Sequence, residues 1–353
     1  MRNEAFDLIF IDVIFSESLF GFAQHFKAPI VGLSTIGTTS RTDELVGNIT
    51  PQSYASINRW YSQNINLWMR CLNVALYALE RLHYYYEYIA VHKEIYERYF
   101  PNATASLDDV KNNFSLVLLN DHFVIGTPRP YVPNMVEVAG LHIPETPKPL
   151  AADINELLNS SKQGVIYVAI DKMLPDPVMQ MILKQFQGLQ HLVLWNSKTM
   201  PSQSLEIPSN VQFRTNISHH AILSHPLVHL LICHGGYHKV IESIYYGVPV
   251  LGIPNVRGNP EDYFDFIGKM SHGLTLRQAH FNNQTLHKAL WELLFSEHYS
   301  REAKLKSLQF RDQQNTPLER ATYWMEYVLR HKGAAHLRNL GQNLSTVEFY
   351  NLD

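Results

Sequence analysis

Residues 227–254, LVHLLICHGGYHKVIESIYYGVPVLGIP, decide how this chain is read. They open with an apolar run, 227–233, short and uninterrupted enough for a strand buried on both faces. His234-Gly235-Gly236 breaks that run. Val240, Ile241, Ile244 and Tyr245 then recur at helical spacing, and Gly247 stands where a helix commonly ends in a left-handed residue. A second apolar run, 248–253, follows at once, punctuated by Pro249 and Pro254. Strand, glycine turn, helix, strand is a βαβ unit, which predicts a parallel sheet and a right-handed crossover.

The turn carries chemistry of its own. A helix N-terminus presents unpaired N–H groups at the positive end of its dipole, and glycines let a ligand come close to the backbone. Residues 234–239 therefore read as a seat for a phosphate. Glu242, further along the same helix, is placed to reach ribose hydroxyls, as acidic residues do in nucleotide-binding α/β folds. The same turn also serves, with no ligand, as a plain strand-to-helix connection.

Outward from this unit, the 353 residues suit two domains, and 46% hydrophobic with 17% charged content suffices for two cores. A net charge of −3 gives no electrostatic basis for nucleic-acid binding. Cys71 and Cys233, the only cysteines, read as two buried thiols rather than a disulfide. The first residues lack a cationic leader with a small-residue cleavage site, and no apolar run approaches the length of a membrane span. Asn-x-Ser/Thr sequons nevertheless occur at Asn48, Asn102, Asn113, Asn159, Asn216, Asn283 and Asn343, a density that points to a lumenal origin.

Upstream, 6–15 reads as a buried strand, 17–26 as a helix and 29–33 as a second strand, with Asp12 late in the first, where open α/β sheets place functional groups. The pattern from 58 to 100 is helical and aromatic: Trp60, Tyr61, Trp68, Leu72, Leu79, then Tyr84-Tyr85-Tyr86 and Tyr88. Pro144, Pro147 and Pro149 mark 144–163 as an interdomain linker between a first domain, 1–143, and a second, 164–353. Strands are expected at 116–119, 165–170, up to Trp195 and at 210–213. Helices are expected at 283–296, 301–309 and 317–331.

His234-Gly235-Gly236, His238, Glu242-Ser243, Gly247-Val248-Pro249 and Gly252-Ile253-Pro254 together resemble the signature of the UDP-glycosyltransferases. Residues 311–338, RDQQNTPLERATYWMEYVLRHKGAAHLR, resemble the segment that ends the soluble part of animal, especially insect, members. RPYVPNMVEVAGLHI, 129–143, looks like the same family's approach to its linker.

The resemblance implies an α/β fold of the GT-B type: two Rossmann-like domains with parallel sheets facing across a cleft, the final helix packing back on the first domain. It implies transfer of a hexosyl group, with inversion, from a UDP-sugar co-substrate to a small lipophilic acceptor, with no metal and no resident cofactor. The acceptor lies in the first domain, among the aromatic helices, and the UDP-sugar in the second. Asp12 is implied as partner of a catalytic histidine whose region has no counterpart here, and His219, His234, Gly235, Gly236, His238, Lys239, Glu242 and Asn259 as the donor site. Members sit in the endoplasmic reticulum, with a signal peptide before and a membrane helix after the matching region. On that expectation this chain is truncated at both ends and its first domain incomplete.

The departures from the family fall on the donor side. Asp171-Lys172 stand where the family has Gly-Ser, and an aspartate facing a diphosphate is electrostatically unfavourable. Asn216-Ile217-Ser218-His219 replace Trp-Leu-Pro-Gln, and losing an aromatic–base stack costs about 1–3 kcal/mol. Lys239 replaces a small residue, opposing the helix dipole but attracting phosphate. Gly258-Asn259 replace Asp-Gln, the pair that reads sugar hydroxyls. Two readings stand side by side: an active transferase, or a catalytically inactive truncated member that binds or dimerises with another transferase. A dinucleotide-dependent oxidoreductase is excluded, because no Gly-x-Gly-x-x-Gly turn follows a first strand.

Overall fold

Uninterrupted apolar runs have no solvent face, so they form strands only in parallel sheets covered on both sides. The computed structural model, which describes residues 4–54, 66–170, 174–198, 200–234, 236–253, 271–344 and 346–349, contains two such sheets. The chain divides into unit 1, residues 1–141 with 314–353, and unit 2, residues 142–313.

Unit 1 holds β1 (Ile9–Asp12), β2 (Ile30–Ser34), β3 (Phe114–Leu119) and β4 (Met135–Glu137), in that spatial order and parallel throughout. β3 is buried along its whole length. One face of the sheet packs on Phe20, Val46, Tyr84 and Ile89. The other face is covered by the chain's own C-terminal region. The Pro317–Arg330 helix, opened by a Thr316–Glu319 capping box with proline in its first turn, sets Ala321 and Val328 against Val31, Leu116, Leu118 and Val136.

Several expectations need correction here. β1 is an edge strand with alternating exposure, and Phe10 is 46% and Phe15 67% exposed, so 6–15 is not buried on both faces. The Leu67–His83 helix is strongly amphipathic but turned outward: Asn73 and Tyr77 are its buried residues, while Trp68, Leu72, Leu79 and Leu82 face solvent. Cys71 therefore lies exposed rather than buried, whereas Cys233 is buried, and both are free thiols. Trp60 and Tyr61 lie outside the described residues. The stretch 144–163 is more than a connection: Ala152–Asn159 is a helix held by buried Ile154 and Leu158, whose helical spacing the neighbouring prolines obscured.

In unit 2, β5 (Val165–Ala169), β6 (Leu192–Asn196) and β7 (Val211–Arg214) run to one side, and β8 (Val228–Cys233), β9 (Val250–Gly252) and β10 (Gly273–Thr275) to the other. The resulting order is β10-β9-β8-β5-β6-β7, again all parallel. The order reverses between β5 and β8. Such a reversal opens a crevice at the carboxyl ends of the two strands, where ligands of open α/β sheets bind. Trp195, Phe186, Leu183 and Leu230 are fully packed in the core beneath it. The Tyr237–Tyr246 helix follows β8 and ends at Gly247, φ +68°, where an added Cβ would come within 3.2 Å of Ser307.

A buried ion pair ties unit 1 together. Asp43, 1% exposed, receives Arg129 Nη2 at 2.6 Å, Asn48 Nδ2 at 2.8 Å and the Thr50 hydroxyl at 2.7 Å. Burial raises the Asp43 carboxyl even against the charge of Arg129. Arg129→Met leaves that carboxylate uncompensated and is expected to cost unit 1 roughly 3–5 kcal/mol, the usual cost of breaking one side of a buried pair. Urea unfolding of the two proteins measures it.

Candidate functional site

The Tyr237–Tyr246 helix begins at the carboxyl end of β8, and Gly236 at its N-cap makes no side-chain cap. The helix start thus offers backbone N–H groups at the positive dipole end, as the sequence predicts. His234 ends the strand, its Nδ1 on the Ile253 carbonyl at 3.2 Å, which fixes the ring beside the next strand. Lys239 turns back, and its Nζ donates to the Ala169 carbonyl at the end of β5, 2.8 Å away. Gly235 and Asn259, with the departures Asp171, Lys172 and Gly258, lie outside the described residues.

Glu242 is the centre of the site. Its residue is 6% exposed, and a carboxylate this deep requires cations or donors around it. Two imidazoles stand close, His219 Nε2 2.5 Å from Oε2 and His142 Nε2 3.3 Å from Oε1, with His220 Nε2 further off at 4.0 Å from Oε1. The His219 contact is close but poorly aligned for a hydrogen bond, and it sets the ring directly against the carboxylate. Burial pushes the Glu242 carboxyl up, yet the contacts and charge of His142 and His219 outweigh it and bring the group down to about 2. His238 joins the cluster edge-on, its ring 5.0 Å from that of His142.

A second layer orients the first. His219 Nδ1 shares a hydrogen bond of 2.9 Å with the Tyr167 hydroxyl on β5. Asn196 at the end of β6 donates to the same hydroxyl at 3.0 Å and to the Ile217 carbonyl at 3.3 Å. Burial, reinforced by the neighbouring imidazoles His219 and His142, holds His220 below its ordinary range despite Glu242. Asn216, where the resemblance expects tryptophan, adopts φ +55°, a left-handed conformation that asparagine tolerates better than most residues.

Unit 2 therefore brings His219, Lys239, His234, Gly236, His238 and Glu242 to one crevice. His142, His220, Tyr167 and Asn196 belong with them and were missed by sequence reading. His142 sat in plain view within the AGLHI stretch, but nothing in its local pattern ties it to Glu242.

Asp12 belongs to unit 1, at the end of β1. Its Oδ1 accepts from Ile14 N at 2.8 Å, and its Oδ2 from the Thr35 hydroxyl at 3.2 Å. The ends of β3 and β4 bring two further carboxylates, Asp121 and Glu137, into electrostatic contact. Glu137 on β4 is raised to about 7 by burial and by the charge of Asp121, whose Oδ2 takes the Thr38 amide at 3.1 Å and hydroxyl at 3.0 Å. Among the described residues no group of three or more His, Cys, Asp or Glu is arranged to hold a metal ion, and no helix is long and apolar enough to cross a membrane.

Glu242 makes the acid stability of unit 2 predictable. Its folded-state value lies below the ordinary 4.5, so its contribution is fully present above about 4.5 and is lost as pH falls toward 2. Wild type is expected to lose more unfolding free energy than Glu242→Gln across that window, measured by denaturant titration at each pH. Equal losses would mean that the carboxylate is not held as described.

Comparison with known proteins agrees with this arrangement. Residues 1–353 match the family described as "UDP-glucoronosyl and UDP-glucosyl transferase". UDP-glycosyltransferase UGT4 of Dactylopius coccus is 31% identical over an alignment of 362 residues that covers 100% of this chain and 70% of that protein. The human 2-hydroxyacylsphingosine 1-beta-galactosyltransferase is 26% identical, over 100% of this chain and 65% of its own. Among solved structures, the calicheamicin glycosyltransferase CalG4 superposes with a TM-score of 0.60 at 16% identity, covering 92% of this chain and 74% of that one. Glycosyltransferase VinC in complex with DTDP gives 0.60 at 13% identity, over 92% of this chain and 72% of its own. These likenesses carry the fold, which is of the GT-B type.

Proposed function

The chain belongs to the UDP-glycosyltransferase family, whose reaction moves a sugar to an acceptor, and we propose that its unit 2 crevice is the seat of the UDP part of the donor. One observation carries this reading. A nearly buried carboxylate, Glu242, sits at the strand-order reversal of a parallel sheet, within the helix that starts at the glycine turn.

Each residue then has a role. The N–H groups at the start of the Tyr237–Tyr246 helix and His234 receive the diphosphate, and Lys239 leaves the Ala169 carbonyl to join them. Glu242 accepts hydrogen bonds from ribose hydroxyls in place of His219 and His142. His219, freed from the carboxylate, and Tyr167 behind it line the nucleobase side. Gly235, Gly236, His238 and Asn259 complete the donor site, Asn259 toward the sugar. The acceptor, a small lipophilic molecule, attacks the anomeric carbon with inversion while the departing diphosphate is stabilised at the helix terminus. Asp12 stands where it would orient a histidine base for the acceptor proton, a base that has no counterpart among residues 1–353. The family supports lumenal residence in the endoplasmic reticulum, and the exposed sequon asparagines Asn102, Asn113, Asn159, Asn216, Asn283 and Asn343 suit it; Asn48 is buried on Asp43.

A second reading has its own support. Glu242 is already held by His219 and His142, and Lys239 by a backbone carbonyl, so the seat is filled by the protein's own groups. The Leu67–His83 helix also turns an apolar stripe to solvent, as a partner-binding helix would. A non-catalytic member that pairs with another transferase fits both.

Calorimetric titration with UDP separates the readings. The donor reading expects saturable binding that Glu242→Ala weakens at least about tenfold, since hydrogen bonds to a charged group are typically worth 1.5–3 kcal/mol. No binding by a folded sample would leave the partner reading.

A further inference from the structure

A cavity of about 190 Å³ lies wholly within unit 1, lined by residues of the Ser40–Val46, Leu67–His83 and Leu107–Lys111 helices and of the C-terminal segment. Neither Asp12 nor any donor-site residue lines it.

Its wall carries a cation short of partners. Lys111 is 4% exposed, and an ammonium has three protons to place. Among the described residues its one hydrogen bond is to Glu44 Oε1, at 3.4 Å, and its other neighbours are the ring faces of Tyr84 at 4.7 Å and Tyr85 at 5.7 Å. Glu44 is itself shared, with Arg81 Nη1 at 3.8 Å from Oε2 and the Tyr85 hydroxyl donating to Oε1 at 2.5 Å. Buried Lys111 thus shares its one carboxylate partner with Arg81, which leaves its ammonium only partly compensated, and that is costly. Asp108, the other carboxylate on the wall, is taken by Lys93 at 2.5 Å. Glu80 accepts from the Ser40 hydroxyl at 3.2 Å and does not line the cavity.

The rest of the wall is of another kind. Leu344 and Phe349 bring apolar surface to the cavity from the C-terminal segment. That segment is fastened by Asn339 Nδ2 donating to the Gly47 carbonyl at 2.6 Å and Gln342 Nε2 to the Leu45 carbonyl at 2.5 Å. Gly47, at φ +65°, is required there, because an added Cβ would lie 2.7 Å from Gln342 Cγ. The volume, about 190 Å³ and open to solvent on one side, has room for a single ring, which needs roughly 150 Å³.

We propose that this cavity binds a small organic carboxylate of about benzoate size, the carboxylate on Lys111 and Arg81 and the ring against Leu344 and Phe349. The site is separate from the donor crevice, and its occupant helps fasten Gln342, Leu344 and Phe349 to the Ser40–Val46 helix.

The test is calorimetric titration of the full chain with sodium benzoate, and with benzamide and acetate as comparisons. Benzoate is expected to bind saturably, with the uncharged benzamide and the ringless acetate each at least about tenfold weaker. Lys111→Gln and Arg81→Gln, each checked as folded by circular dichroism, are expected to weaken benzoate by a similar factor. The proposal is overturned by absence of saturable benzoate binding, by benzamide or acetate binding as well as benzoate, or by folded variants that bind unchanged. Should neither variant fold, the three-ligand comparison on wild type decides alone.

Discussion

The constraint on which unit 2 depends is the reversal of strand order between β5 and β8. A parallel sheet buried on both faces has nowhere to put polar groups except at its strand ends, and the reversal separates the flanking connections to leave one crevice there. Ala169, Tyr167, Asn196, His234 and the start of the Tyr237–Tyr246 helix all gather at that place because of topology, and only then because of their chemistry. The apolar packing of Trp195, Phe186 and Leu230 beneath keeps the strand ends in register.

Within the crevice, electrostatics turns on one buried carboxylate. Glu242 could not stay charged at that depth unaided, and the imidazoles of His142 and His219 provide the compensation. Ribose hydroxyls would offer the carboxylate hydrogen bonds in exchange for those histidines. On the proposed donor reading, nucleotide binding is an exchange of partners on Glu242, and its affinity then depends on how firmly His219 is held by Tyr167 and Asn196. The histidines at 219 and 220 are what set this crevice apart from a simple open cradle.

Much of this was legible before the structure. β8, the helix after it and Gly247 follow from an unbroken apolar run, helical spacing and a left-handed cap, all local signals. The failures are non-local. Residues 6–15 carry the composition of a central strand, yet β1 lies at an edge, and edge position is a property of the sheet, not of the strand. The Leu67–His83 helix shows the expected amphipathic period, but the period does not say which face turns inward, and here Asn73 and Tyr77 do. His142 joins Glu242 through the fold alone, and the carboxylate pair Asp121 and Glu137 likewise comes together only where two strands end side by side. Sequence pattern finds elements; it does not find charge clusters assembled across them.

The most direct measurement of the central claim is a crystal structure of the chain grown with UDP. The account predicts the diphosphate at the start of the Tyr237–Tyr246 helix, with the Glu242 carboxylate on the ribose hydroxyls and His219 moved off it. UDP bound elsewhere, or a crevice still closed by the Glu242–His219 pair at saturating nucleotide, would contradict it.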